Sequence, residues 1–418
     1  MYINLYNNDK PDYTPGLERW SYYKTIWMKY WNEFNIIYPE RFQETYGNLD
    51  DEKIEEVKKL IRCGKFQNGF KRHICPECGI ILIVPFTCKS RLCLSCSRKK
   101  LFGWSLNLSR IMNTSLKHNH VTFTIPGTLS RLLFQRRYQP EHMIKLASKL
   151  YRDFLLSSAG LKGREIQPGI LSTLHKSGNS LNYNPHIHLI GTRELVDTKT
   201  GEVHDVTFIS YNKIRHIWKK AFLNHLKKHK IITAEEFEAI DKKFSNGFHV
   251  YFKPITGNHN DILFRTSEYI AAGYFHNSQI TEVNFAKKTV TFRYKKWVDR
   301  KTKEKIFATK TMDVFSFMAR MLFYLPEKNR KLIRYYGIYT HQIDQKLKDV
   351  EKSMWSKAIE ISFNKKPENC PDCGTLMLPD TIYSFSADSE IKKLVKTHTI
   401  IKGYFRPNVK AVKRVMPP

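Results

Sequence analysis

The stretch LNYNPHIHLIGT, Leu181–Thr192, decides how the central part of this chain reads. It alternates apolar and polar residues, as a strand does. On a strand, residues i and i+2 share a face, so His186 and His188 project side by side while Ile187 and Leu189 point into a core. Two imidazoles on one rigid strand are either two ligands of a metal site with open positions or a solvated pair. What flanks them has to decide.

Upstream, GILSTLHKSG (169–178) reads as a partner strand across the turn SGNSLNYN, and HVTFTIP (120–126) as a β-branched strand stopped by Pro126-Gly127. Between them QPEHMIKLASKLYRDFLLSS (139–158) has helical spacing. Downstream come the basic helix YNKIRHIWKKAFLNHLKKHK (211–230), the strand GFHVYFKPIT (247–256), the helix ILFRTSEYIAAGYFHN (262–277) and the hairpin KTVTFRYKKWVDRKTKEKIFATKTM (288–312). This order predicts an α+β domain, residues 115–345, on a central antiparallel sheet. Residues 1–61 read as a helical region and 62–102 as a small zinc-binding domain. Residues 346–418, with CPDCG, read as a separate appendage.

The chain has 418 residues, with 70 Lys and Arg against 39 Asp and Glu, a net charge of +31. Such an excess calls for a polyanionic partner, with nucleic acid first. No signal peptide or stretch able to span a bilayer is visible, so a cytoplasmic protein away from membranes is expected. In that compartment the eight cysteines read as metal ligands before disulfides.

The pairs Cys75-Pro-Glu-Cys78 and Cys93-Leu-Ser-Cys96 are separated by 14 residues. Two such turns complete a tetrahedron, so Cys75, Cys78, Cys93 and Cys96 are expected to hold one structural Zn²⁺ with no open position. Cys63, Cys88 and His73 are left over: one could replace a ligand, or with a fourth group they could build a second site. Cys370 and Cys373 are either a half-site with a distant partner or a plain turn. Lys89 and Arg91 make the module basic and suit it to DNA.

The order TFTIP, then His-Ile-His, then a helix bearing Tyr269 and Tyr274 resembles the HUH single-strand endonucleases. With the cysteine-rich domain in front, the chain is similar to the rolling-circle insertion-sequence transposases of the "IS ninety-one" type. The resemblance is carried by CGKFQNGFKRHICPECG, FTCKSRLCLSCSRKK, HVTFTIPG, NPHIHLIGT, VYFKPI, EYIAAGYFHNSQI, VTFRYKKW, MARMLFYLP and IRYYGIY, about two thirds of the chain. It implies that His186 and His188 hold a catalytic Mg²⁺ or Mn²⁺ that polarises a scissile phosphate. A tyrosine then attacks, leaving a 5′-phosphotyrosine and a free 3′-OH, with single-stranded or hairpin element ends as substrate. No ATP is needed, and no GxxxxGK[ST] loop is found.

Tyr274 matches the family pattern best and is the first candidate nucleophile; Tyr269 is the second. The family's pair is typically four apart, whereas these are five apart, about 140° on a regular helix. Gly273 would permit a π-bulge that restores a common face. A third ligand is needed, with His276, Gln279 and His120 as candidates. Lys213, Arg215, Lys219 and Lys220, on a helix with seven Lys or Arg and no acid, are expected to track phosphates. Arg293 and Lys295 interleave with aromatics that could stack bases. Two other functions compete: a plasmid or phage rolling-circle replication initiator with the same chemistry, and a non-catalytic zinc-ribbon nucleic-acid-binding protein.

Overall fold

A computed structural model of the chain describes residues 21–97, 108–206, 210–270, 273–299, 302, 304–340, 369–383, 398–401 and 404–407. The described chain opens with α1 (Tyr22–Arg41), α2 (Gln43–Tyr46) and α3 (Asp51–Arg62), then β1 (Phe70–Ile74) and β2 (Ile81–Pro85). Next come α4 (Leu108–Ile111), β3 (His118–Thr124), α5 (Gly127–Gln135), α6 (His142–Ala159), β4 (Ile166–Gln167), β5 (Gly169–Ser177) and β6 (Tyr183–Thr192). They are followed by β7 (Glu194–Asp197), β8 (Val203–Asp205), α7 (Tyr211–Lys228), α8 (Ala234–Lys243), β9 (Val250–Ile255) and α9 (His259–Ile270). The rest is β10 (Ile280–Asn284), β11 (Thr289–Val298), β12 (Lys305–Asp313), α10 (Val314–Phe323), β13 (Ile333–Gly337), β14 (Leu378–Tyr383), β15 (His398–Ile401) and β16 (Tyr404–Pro407). The mixed, antiparallel α+β architecture is the expected one.

The central sheet has the order β13-β5-β6-β3-β9, with every pairing antiparallel. β6 lies in the middle because both its faces are covered. Ile187 and Leu189 are fully buried with Val121 and Phe123 against Tyr151 and Phe154 of α6 and Trp218 and Phe222 of α7. The Trp218 indole N–H donates to the Thr124 carbonyl at 2.8 Å, tying the basic helix to the end of β3. On the other face Ile190, Leu171 and Ile255 pack with Leu108 and Ile111 of α4 and Ile262 and Ile270 of α9. His186 and His188 continue this second face beyond its apolar part.

Gly191 is where the sheet meets α6 most closely. A Cβ there would stand 2.3 Å from the Tyr151 ring, whose hydroxyl is fixed by donating to the Thr192 carbonyl at 3.0 Å. Gly191→Ala is therefore expected to destabilise the fold by about 1–3 kcal/mol through overpacking. A thermal unfolding midpoint equal to wild type would refute the close approach.

A second sheet, β10-β11-β12, packs with α1 and α10 around a cluster containing Tyr23, Trp27, Phe34, Phe292, Phe315 and Phe317. Two expectations change. The helix predicted over 262–277 stops at Ile270, so Tyr274 lies outside it. The C-terminal segment is not a separate appendage: β14 pairs with β1 and β16 with β2, giving a sheet of order β14-β1-β2-β16-β15. The two edges of the short β1–β2 hairpin need partners, and strands from the far end of the chain supply them.

Candidate metal and nucleic-acid site

Antiparallel register assembles the histidines. His186 pairs with Thr124 on one side and His175 on the other; His188 pairs with Thr122 and Thr173. Ligand atoms of His175, His186 and His188 lie within 4.8 Å of one another. His175 on β5 is thus the third imidazole, in place of the His276, Gln279 or His120 expected from sequence. In sequence it is marked only by being a histidine on the strand GILSTLHKSG that precedes the His-Ile-His strand.

The surroundings orient these rings. His186 Nδ1 lies 2.7 Å from the Asn184 carbonyl oxygen, a contact that places a proton on Nδ1 and leaves Nε2 as the electron-pair donor. His188 Nδ1 lies 2.8 Å from His120 Nε2, so His120 stands behind His188 as an outer partner. Burial holds all four below the ordinary histidine range: His175 at about 3 and His120 at about 4, with neighbouring cations and histidines adding to the effect. His186 and His188 are lowered in the same direction, again mainly by burial. At neutral pH the cluster is therefore a set of uncharged imidazoles, the form that binds a divalent cation.

The two tyrosines part company. Tyr274 sits between α1 and α10, its hydroxyl donating to the Met321 carbonyl at 3.2 Å and its ring 6.0 Å from Tyr324. Burial raises its pKa well above the ordinary phenol value, which opposes formation of a phenolate there. Tyr269 is in the last turn of α9, and its side chain lies outside the described residues. The helix itself packs on the strands carrying the histidines, and the backbone carbonyl of Ile270, the next residue, bears on His175.

The cysteines form two groups, and neither is the expected set of Cys75, Cys78, Cys93 and Cys96. Cys63, Cys88, Cys93 and Cys96 come together, with Sγ separations of 3.7 Å for Cys63–Cys96, 3.7 Å for Cys63–Cys93 and 3.6 Å for Cys88–Cys96. A Zn–S bond of about 2.3 Å in a tetrahedron requires S···S edges of about 3.8 Å, so these thiols fit a zinc ion. Cys75 and Cys78 stand instead beside Cys370 and Cys373. The hairpin β1–β2 explains the division: Cys75 and Cys78 sit at its turn, whereas Cys63 and Cys88 flank its open end. His73, on β1 opposite Leu82, belongs to neither group.

The basic residues also divide. Arg91 is tied to Glu52 at 2.5 Å and Glu56 at 3.5 Å, and its backbone N–H donates to Glu56 at 2.6 Å. The acids that the local sequence lacks come from α3, so Arg91 is ion-paired beside the cysteine cluster. Lys219 is buried against Asp241 at 2.8 Å, and Lys220 meets the other oxygen of Asp241 at 2.9 Å. Both are engaged by α8. Lys89 and Lys213 are exposed, and Arg215 is half-buried. On the hairpin, the Arg293 guanidinium covers the Phe307 ring at 4.6 Å and Trp297 is 49% exposed, so an aromatic surface is open to solvent. Lys295 is exposed, yet its charge acts on His188, and partial desolvation with repulsion from Lys305 and Lys253 holds its ammonium below the usual lysine range. A cation in that position gains by receiving a phosphate. No helix among the described residues is long and apolar enough to cross a membrane.

Two parts of the chain match families of known proteins. Residues 169–346, which carry the three clustered histidines and both tyrosines, match the family described as "Putative transposase". Residues 34–125 match the family described as "Transposase zinc-binding domain". The chain is 24% identical over 360 residues to the "Transposase for insertion sequence element IS801" of Pseudomonas savastanoi pv. phaseolicola, covering 79% of this chain and 84% of that one. It is 21% identical over 336 residues to the "Putative transposase y4qJ" of Sinorhizobium fredii (strain NBRC 101917 / NGR234), covering 74% and 80%. No solved structure matches the chain.

Proposed function

Because the chain belongs to the IS91 family of insertion-sequence transposases, we infer that it nicks single-stranded DNA at element ends through a tyrosine and moves strands by a rolling-circle route. The observation that carries this reading is the group His175, His186 and His188 on a sheet covered by α9, the helix whose last turn includes Tyr269 in sequence. The three imidazoles would hold Mg²⁺ or Mn²⁺, which when bound polarises the scissile phosphate and stabilises developing charge.

The chain's own residues do the rest. Lys295 and Lys253 bring positive charge to the cluster and orient the phosphate. Tyr269 supplies the phenolate oxygen. That oxygen forms the new bond to phosphorus while the bond to the 3′ oxygen breaks, and the 3′ oxygen leaves with a proton taken from solvent. The phosphodiester energy is kept in the tyrosyl link, so rejoining to another 3′-OH needs no nucleotide. Exposed Trp297 offers a flat face for unpaired bases of the strand or hairpin end.

The test is incubation of the purified protein with single-stranded oligonucleotides from the element ends and Mn²⁺. A covalent protein–DNA band resistant to denaturation is expected. If no strand, paired or unpaired, gives a band with any divalent ion, the protein is a zinc-ribbon DNA binder. For binding alone, Lys295→Ala is expected to lower the salt dependence of single-strand affinity by about 0.7 in log–log slope, one phosphate's worth. Lys219→Met should leave that slope unchanged and lower stability, because it breaks a buried pair.

A further inference from the structure

The second cysteine group lies outside the matched zinc-binding segment, residues 34–125, for half of its members. Cys75 and Cys78 come from the turn of the β1–β2 hairpin; Cys370 and Cys373 come from the Cys-Pro-Asp-Cys turn just before β14. The Sγ atoms of Cys75 and Cys373, 298 residues apart, are 3.6 Å from each other. That is the edge of a zinc tetrahedron and far too long for a disulfide of about 2.05 Å. The two turns are built alike. The backbone N–H of Gly79 donates to the Cys75 carbonyl at 2.9 Å and that of Gly374 to the Cys370 carbonyl at 3.0 Å. Both glycines have positive φ, 66° and 75°, which lets each pair of thiols face one point.

The environment gives the ion a structural task. Among the described residues, Cys75, Cys370, Ile80, Leu82 and Met377 make a small buried core, weak by itself for holding two chain segments together by apolar burial. The pairing of β14 with β1 adds main-chain hydrogen bonds and the ion pair of Arg72 with Asp380. A metal bridging the two turns would add the free energy of its thiolate bonds, as in small metal-dependent domains.

We propose that Cys75, Cys78, Cys370 and Cys373 bind a second structural Zn²⁺ that fastens the C-terminal strands to the N-terminal hairpin. The protein then carries two zinc ions per chain, and its zinc module is made from both ends of the sequence. Four thiolates select zinc over the harder Mg²⁺ or Mn²⁺.

Metal analysis of the purified full chain is expected to give two zinc ions per chain. The double substitution Cys370→Ser with Cys373→Ser should leave one, and Cys75→Ser should lose that same ion, so that the triple variant also keeps one. Cys373→His, which restores a ligand at the exposed corner, should retain two. After proteolytic cleavage between residues 340 and 369, the C-terminal fragment should stay with the rest of the wild-type chain on gel filtration and separate from it in the double variant. One zinc ion in the wild type, or two in the double variant, overturns the proposal. A variant that fails to fold does not rescue it, because the wild-type stoichiometry and the Cys373→His result stand independently.

Discussion

Tyr269→Phe is expected to abolish the covalent protein–DNA band, a loss on the order of ten thousand-fold in nicking rate, because in the proposed reaction its hydroxyl supplies the attacking oxygen. Tyr274→Phe is expected to leave the band in place. Its hydroxyl is spent on the Met321 carbonyl and its phenol is held protonated by burial. Removing that hydroxyl costs about 0.5–1.5 kcal/mol of stability, one hydrogen bond's worth, and little else. The two variants should therefore separate cleanly when adduct yield and thermal midpoint are measured side by side. A band that survives Tyr269→Phe and vanishes in Tyr274→Phe would mean that Tyr274 leaves Met321 on DNA binding, and the assignment made from α9 would fall.

His175→Ala should come next in size. If His175 is a ligand, its loss weakens Mn²⁺ binding and nicking by more than the about 10–100-fold that an outer partner costs. His120→Ala should fall inside that range, since His120 meets His188 at Nδ1 and would leave its Nε2 to hold the ion. Calorimetric titration with Mn²⁺ measures both. A larger loss for His120→Ala than for His175→Ala would make His120 the third ligand and leave His175 as its support. Neither effect should be mimicked by low pH near 6. Burial keeps His175 near about 3 and His120 near about 4, so these rings take up protons only well below that pH.

Much of this site can be read along the chain. The alternation in NPHIHLIGT places two imidazoles on one face whatever their neighbours, because side-chain direction on a strand has a period of two. Trp218 and Phe222, four apart on the basic helix, share a helix face by their spacing, and both are fully buried. The charge of the hairpin and its exposed aromatics were likewise visible. The failures share a cause. Tyr274 looked helical because the apolar spacing runs on past Ile270, yet Gly273 and the demands of the α1–α10 cluster carry the chain elsewhere. Arg91, Lys219 and Lys220 looked free because their acids, Glu52, Glu56 and Asp241, sit on other elements.

Local spacing was thus enough for the strands, the helices, the paired histidines and the CxxC turns, since each depends on residues within a few positions. Partnership across the fold was not. His175 joins His186 through strand register, and Cys75 joins Cys373 through a pairing of chain ends 298 residues apart. Register and long-range strand pairing are settled by which apolar faces and which unpaired edges can be satisfied together, a property of the packed whole that no short window of sequence contains.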